Sequence, residues 1–188
     1  ALRAANLTRQ LLAFSRRQTL RPQVLHLGDA LSEFQMLLRK VVDEKTDIDV
    51  RHGRDLWFVK ADMTQFEQVI MNLVVNARDA MSGAPGGKVQ IRTRNVAKDE
   101  CASFGDQTLP PADYVLVEVE DNGSGIPPEV REKIFEPFFT TKDVGKGTGL
   151  GLSICYAIIQ DHGGRMEVES TPGQGATFRV LLRSVEAA

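Results

Sequence analysis

Two carboxamides stand one helical turn apart in this chain, at Asn72 and Asn76. The segment that carries them, Asp62 to Met81, repeats apolar residues at three- and four-residue steps through Phe66, Val69, Ile70, Leu73, Ala77 and Ala80. That period predicts a helix, and a spacing of four puts both amides on one side of it, beside the apolar stripe. Amide oxygens can hold magnesium together with phosphate oxygens and waters; taken alone, they could equally crosslink helices. A second cluster, Asp121-Asn122-Gly123-Ser124-Gly125-Ile126-Pro127, follows the apolar run Val115 to Val119. A carboxylate at a strand end can accept a hydrogen bond from an exocyclic amine such as that of adenine. Neighbouring glycines let backbone approach a flat ring, although Asp-Asn-Gly is also ordinary turn chemistry. A third, Gly145-Lys146-Gly147-Thr148-Gly149-Leu150-Gly151-Leu152-Ser153, opens another helical pattern. Free N–H groups and the positive dipole end at a helix start attract phosphate, and Lys146 adds charge. The order of residues is neither a Walker A loop nor a Rossmann fingerprint.

Each cluster is weak by itself. Together, a cation-binding helix, a base-binding carboxylate and a phosphate loop make the parts of one nucleotide site. Elements must position them. Residues 1 to about 20 read as a helix on Leu7, Leu11 and Phe14, ended by Pro22. His26 to Val42 predicts a short extended piece and then a helix with Leu31, Phe34, Leu37, Leu38 and Val41 inward. Strands are expected at 46–50 and 89–94 from their alternation, and short strands at 56–59 and at the apolar run 115–119. Residues 98–113, polar and carrying Pro110-Pro111, read as an exposed loop. A short helix is expected from Pro128 to about Ile134, a glycine-rich stretch over 137–148, and a helix from Leu150 to His162 closed by Gly163-Gly164. Arg165 to Glu169 and Ala176 to Leu182 read as a hairpin around Pro172-Gly173-Gln174-Gly175. The expected fold is α/β (α+β): a two-layer sandwich with a mixed sheet packed on helices, preceded by one helix.

The 188 residues allow one ordinary domain plus that helix. A net charge of -2 gives no electrostatic support for nucleic-acid binding. No apolar run approaches the roughly 18 residues of a membrane span. Cys101 and Cys155 have neither disulfide-framework nor metal spacing and read as free thiols of a cytoplasmic domain. The chain begins at Ala1 inside a helical pattern, so the expectation is a piece of a longer protein, with any inner-membrane anchor outside it.

The three clusters occur in an order that resembles the GHKL (Bergerat-fold) ATPase superfamily, shared by histidine kinases, DNA gyrase B subunits, Hsp90 chaperones and MutL proteins. Asn72 to Ala80 is similar to the N box and Asp121 to Gly125 to the G1 box. Phe135-Glu136-Pro137-Phe138-Phe139-Thr140-Thr141-Lys142 is similar to the F box of histidine kinases, Gly147 to Leu152 to the G2 box, and Gly173 to Phe178 to the closing G3 segment. The resemblance spans about residues 28 to 184. It implies ATP or ADP and Mg2+ as ligands, with Asn76 on the metal and Asn72 beside it. It implies catalytic roles for Asn72, Asn76 and Lys142. Nucleotide contacts are implied for those three, for Asp79, and for Asp121, Gly123, Gly125 and Ile126. Further contacts are implied for Phe139, Thr140, Thr141, Lys146, Gly147, Thr148, Gly149, Leu150, Gly151, Leu152 and Thr177. Asp121 would take the adenine amine, with Gly125 and Thr177 completing the base pocket. Residues 136 to 149 would form a mobile lid.

Asn72 separates the branches of this superfamily. Hydrolysing members carry a glutamate four residues before the magnesium asparagine; an amide there cannot act as a general base. The resemblance therefore implies transfer of the γ-phosphoryl group to another nucleophile, a histidine. His26, His52, which reads as part of a turn Arg51-His52-Gly53, and His162 each lack a following acidic residue on a helix, so the acceptor is expected outside this chain. Residues 1–22 resemble the second helix of the dimerisation and phosphotransfer hairpin of hybrid histidine kinases, with 23–186 the catalytic and ATP-binding domain. Gly53-Arg54-Asp55-Leu56 and Phe66-Glu67-Gln68 resemble the alphaproteobacterial cell-cycle hybrid kinases. Residues 153–170 depart from their pattern toward general histidine kinases. Implied partners are the chain's own phosphotransfer hairpin, a response-regulator receiver domain and a second copy in a full-length homodimer. A regulatory nucleotide such as cyclic di-GMP is implied as well, with Tyr156 as an exposed aromatic for it or, alternatively, a core residue. The rival readings are a non-catalytic nucleotide sensor, a gyrase- or Hsp90-like clamp, and a serine kinase of the anti-sigma-factor branch.

Overall fold

The computed structural model describes residues 20–42, 44–81, 86–103, 109–142 and 147–186. The expected N-terminal helix lies outside the described residues. The chain enters as strand β1, Gln23–Leu25, then helix α1, Leu27–Val41, whose N-cap His26 accepts the Asp29 N–H on Nδ1. Leu27, Leu31, Phe34 and Leu38 face inward, and burying each contributes roughly 1.5–3 kcal/mol. Leu37, expected inside, is exposed: the buried stripe runs through positions 27, 31, 34 and 38, and position 37 falls just outside its width.

Strands β2, Thr46–His52, and β3, Phe58–Ala61, lead into the long helix α2, Met63–Ala80. Asp62 caps α2 through its carboxylate, which accepts the Gln65 N–H. Strand β4, Gly87–Val96, and strand β5, Tyr114–Asp121, follow. A four-residue helix α3, Pro128–Arg131, helix α4, Gly151–Asp161, and the hairpin β6, Arg165–Ser170, with β7, Ala176–Val185, complete the order. Gly163, at φ +65°, ends α4 with two reverse-turn hydrogen bonds, Gly163 N–H to Gln160 O and Gly164 N–H to Ile159 O.

The strands form one mixed sheet of order β1-β3-β7-β5-β4-β2, with β6 also on β7. Among the described residues only β2 and β4 run parallel; the other pairs are antiparallel. Helices α1, α2 and α4 cover one face around a core that includes Ile70, Leu73, Val117, Leu150 and Val180. On the opposite face Arg92 and Arg179 both pair with Glu118, and Arg179 reaches Glu169. This is the expected two-layer sandwich.

Two local expectations need correction. Residues 98–113 are not simply an exposed loop. Lys98–Ser103 is a short 3-10 helix, and Cys101, Leu109 and Ala112 are buried with Tyr114, Leu116 and Leu181 in a second small core. A polar average concealed three well-spaced apolar residues. His52 is the last residue of β2, paired with Thr93, rather than part of a turn.

Candidate functional site

Helix α2 is held against α4 by its own amide. Asn72 Nδ2 donates to Gly151 O at 3.3 Å, so this side chain does crosslink two helices, while it also lines the cavity between them. Val69 O accepts from the Cys155 thiol, whose full burial pushes its pKa up to about 12 and leaves it unreactive. One turn further along α2, Asn76 and Asp79 face the same cavity. Asp79 lies between two cations. Arg78 grips Oδ1 with two nitrogens, at 3.1 and 2.7 Å, and Lys142 Nζ donates to Oδ2 at 2.5 Å. Burial pushes the Asp79 carboxyl up, but the hydrogen bonds and charges of Lys142 and Arg78 outweigh it and hold its pKa below the ordinary value.

The Asp121 loop is fixed from three sides. Asp121 sits at the end of β5 opposite Ala176 of β7. Ser124 N–H donates to Ala80 O at the end of α2, and Ser124 O accepts Gly173 N–H from the β6–β7 turn. Ile126 N–H donates to Ser170 Oγ, which in turn donates to Gly175 O. Gly125, at φ +70°, has no room for a Cβ, which would stand 2.2 Å from Thr171 O. These ties place Asp121 on the cavity floor, 6% exposed. Burial pushes its carboxyl above the usual aspartate range, against hydrogen bonds from the Gly123 and Ala176 N–H groups and with Glu120 adding to the rise.

Phe139 to Lys142 and Gly147 to Gly149 line the third side. Phe138 N–H donates to Gly149 O, and a Cβ on Gly149 (φ +66°) would come 2.4 Å from the Phe138 carbonyl carbon. The two ends of the stretch are therefore pinned together. Leu150 then caps α4, whose first N–H groups have no partner inside the helix. Gly151 faces the amides: a Cβ there would meet only Asn72 and Asn76, at 4.0 Å.

A single cavity of about 450 Å³ results. It brings together Asn72, Asn76, Asp79, Asp121, Gly125, Ile126, Phe139, Thr140, Thr141, Lys142, Gly147, Thr148, Gly149, Gly151 and Leu152. Three further expected contacts are not among its lining residues. Gly123 stands behind Asp121, donating its N–H to Oδ1 at 2.9 Å. Leu150 is wholly buried in the core, so only its backbone is near the site. Thr177 pairs with Glu120, on the face of the sheet away from Asp121, and the lining positions are Ala176 and Phe178. Strand alternation settles this: Phe178 is a core residue, so Ala176 shares its side and Thr177 does not. Lys146 lies outside the described residues. The sequence reading also missed the apolar wall of Val75, Val130 and Ile134. Val75 sits directly between the two asparagine turns and could have been found from the same helical spacing.

None of the three histidines adjoins this cavity. His26 caps α1, His52 bonds Ser32 and Thr93, and His162 accepts the Asp62 N–H on Nε2 while donating from Nδ1 to Ile158 O. Tyr156 is exposed (40%) rather than a core residue, its ring 5.2 Å from that of Phe135.

The raised pKa of Asp121 has a measurable consequence. If its carboxylate accepts an amine from an adenine nucleotide, affinity falls as the group is protonated. Because the folded pKa is raised, that loss begins at a higher pH than an ordinary aspartate would give. Calorimetric titration with ADP between about pH 4 and pH 7 should show it, and the slope should vanish in Asp121→Asn.

A sheet carrying this cavity between two helices defines an ATPase-type nucleotide domain, and known proteins bear this out. A family model described as histidine kinase-, DNA gyrase B- and HSP90-like ATPase matches residues 61–186, and the chain belongs to that family. It is 58% identical over 182 residues to the sensor kinase CckA of Brucella abortus, covering 97% of this chain and 19% of that protein. It is 45% identical over 125 residues to the two-component sensor PprA of Pseudomonas aeruginosa, covering 66% of this chain and 12% of that protein. The chain thus spans a fifth or less of these relatives' length. The catalytic domain of the histidine kinase ThkA superposes with TM-score 0.66 at 33% identity, over 87% of this chain and 96% of that one. ThkA solved in complex with the response regulator protein TrrA superposes with TM-score 0.69 at 30% identity, over 97% of this chain and 48% of that one. Among the described residues no helix is long and apolar enough to cross a membrane.

Proposed function

We propose that this chain is the ATP-binding catalytic domain of a two-component sensor histidine kinase, presenting the γ-phosphoryl group of ATP to a histidine outside it. The carrying observation is the convergence of Asn76, Asp121 and the Gly147–Leu152 segment on one cavity. Asp121 would accept the adenine amine, and the glycines and α4 N–H groups would meet the phosphates. Mg2+ fits the donor set: Asn76 Oδ1 already has a cation, the Lys142 ammonium, at 3.5 Å. When bound, the metal would neutralise phosphate charge. Asn72, engaged with Gly151 O and lacking a basic atom, does not activate water. The neutral imidazole of the acceptor then attacks the γ-phosphorus. The bond from that phosphorus to the β–γ bridging oxygen breaks, ADP leaves with the electron pair, and the imidazole releases its N–H proton to solvent.

This reading makes residues 1–22 part of a phosphotransfer hairpin and residues 23–186 the catalytic domain. It places the domain in the cytoplasm, with any inner-membrane anchor elsewhere in a homodimeric full-length protein that serves a receiver domain. The test is calorimetry with ADP, with and without Mg2+. The parent chain should bind ADP more tightly with Mg2+, and Asn76→Ala should lose that gain. Labelled ATP should leave no acid-labile label on the chain alone and should label a separately added histidine-bearing hairpin. Label on the chain itself would overturn the assignment. A regulatory nucleotide such as cyclic di-GMP is the second reading, supported by the partly exposed Tyr156 ring beside Phe135. Tyr156→Ala should then abolish cyclic di-GMP binding and spare ADP.

A further inference from the structure

Lys142 does not stand free in the cavity. Its ammonium bridges Asp79 Oδ2, at 2.5 Å, and Asn76 Oδ1, at 3.5 Å. Arg78 occupies the other Asp79 oxygen and anchors its remaining nitrogen on Val41 O at the end of α1. The carboxylate is thereby oriented with one oxygen aimed at the lysine. The chain passes tightly over the lysine stem. A Cβ on Gly147 would stand 2.5 Å from Thr140 Oγ1 and 3.2 Å from the Lys142 Cβ and Cδ atoms. Both the tip and the stem of Lys142 are held in the posture that covers Asn76.

We propose that Lys142 is an internal stand-in for the divalent cation, seated by Asp79 and Arg78 on the amide oxygen that the metal needs, so that metal enters only when phosphate draws the lysine away. This rests on the nucleotide reading above. It adds a coupling between the two ligands. A triphosphate tail offers the ammonium several anionic oxygens in place of one carboxylate, and its departure exposes Asn76 Oδ1 and Asp79 Oδ2 together. One carboxylate and one amide oxygen are the kind of donor set that holds a hard cation with water and phosphate. Without nucleotide, the ammonium repels a second cation from the same few ångströms.

The two roles of Lys142 predict effects of opposite sign. As a phosphate partner, its replacement by methionine should weaken Mg-ADP binding, by about tenfold on the scale of one charge-assisted hydrogen bond. As a cation stand-in, the same replacement should strengthen binding of Mn2+ alone to the nucleotide-free chain. The experiment is electron paramagnetic titration of Mn2+, without nucleotide, on the parent chain and Lys142→Met, each checked by thermal unfolding. Lys142→Arg, which keeps the charge, should bind Mn2+ as weakly as the parent. At least a tenfold gain in Mn2+ affinity for Lys142→Met over both is expected, about one charge contact. Equal Mn2+ binding in parent and Lys142→Met, including none in either, overturns the proposal. Absence of ADP binding by the parent would instead overturn the nucleotide reading, a result the Mn2+ titration by itself cannot produce.

Discussion

Asp121→Asn is expected to weaken Mg-ADP binding by about a hundredfold, the cost of roughly 2–3 kcal/mol when a buried charged acceptor is lost. The sheet explains the size of the effect. Asp121 ends β5 in register with Ala176, and the Gly123 and Ala176 N–H groups hold its carboxylate. An asparagine there keeps one acceptor oxygen for these backbone donors and turns an NH2 group toward the cavity. An incoming exocyclic amine then meets a donor where it needs an acceptor. Stability should move the other way. Burial dominates the raised pKa of Asp121, so its ionised form is disfavoured in the folded chain. A raised folded pKa means a stability contribution that is present at low pH and lost as pH rises through the folded value. At neutral pH the carboxylate therefore costs stability that the amide does not. The nucleotide-free variant should melt at or above the parent temperature. Retention of ADP affinity within threefold would remove Asp121 from the base pocket; a large fall in melting temperature would instead mark it as structural.

Much of this site could be read from residue types and spacing because each part is local. Asn72 and Asn76 share a side of α2 by helical geometry alone, and the glycines at 125 and 149 sit at positive φ where other residues strain. The order of the clusters then linked them. What could not be read was set by tertiary pairing. Thr177 and Ala176 are neighbours in sequence, but only the register with β5 says which faces Asp121. Residues 98–113 looked solvated because Cys101, Leu109 and Ala112 are thinly spread, and their burial depends on Leu181 arriving from β7. The Arg78–Asp79–Lys142 chain joins residues 63 apart in sequence, and its geometry exists only once the stretch after Phe139 folds across α2. Local periodicity carries no trace of that approach.

The turn between β6 and β7 offers a sharper test of how the fold holds the site, because it contains two glycines with nearly the same backbone and different surroundings. Gly173 has φ +79° and nothing within 4 Å of an added Cβ. Gly175 has φ +86°, and an added Cβ would stand 1.9 Å from Asp121 O and 2.7 Å from its carbonyl carbon. Gly173→Ala is expected to cost about 1 kcal/mol, the left-handed penalty for a residue with a side chain. Gly175→Ala carries that penalty and a backbone collision that no rotamer relieves. Relief requires β5 and β7 to part where Asp121 pairs with Ala176, which also pulls Asp121 off the cavity floor. The expected cost is about 4 kcal/mol, at the upper end for single substitutions. For a domain of this size that lowers the melting temperature by roughly 10 °C, against about 3 °C for Gly173→Ala. ADP affinity, measured below both transitions, should fall in Gly175→Ala and hold in Gly173→Ala. Equal thermal losses in the two variants would mean that backbone conformation alone, and not the packing of this turn on the strand end, explains the glycine.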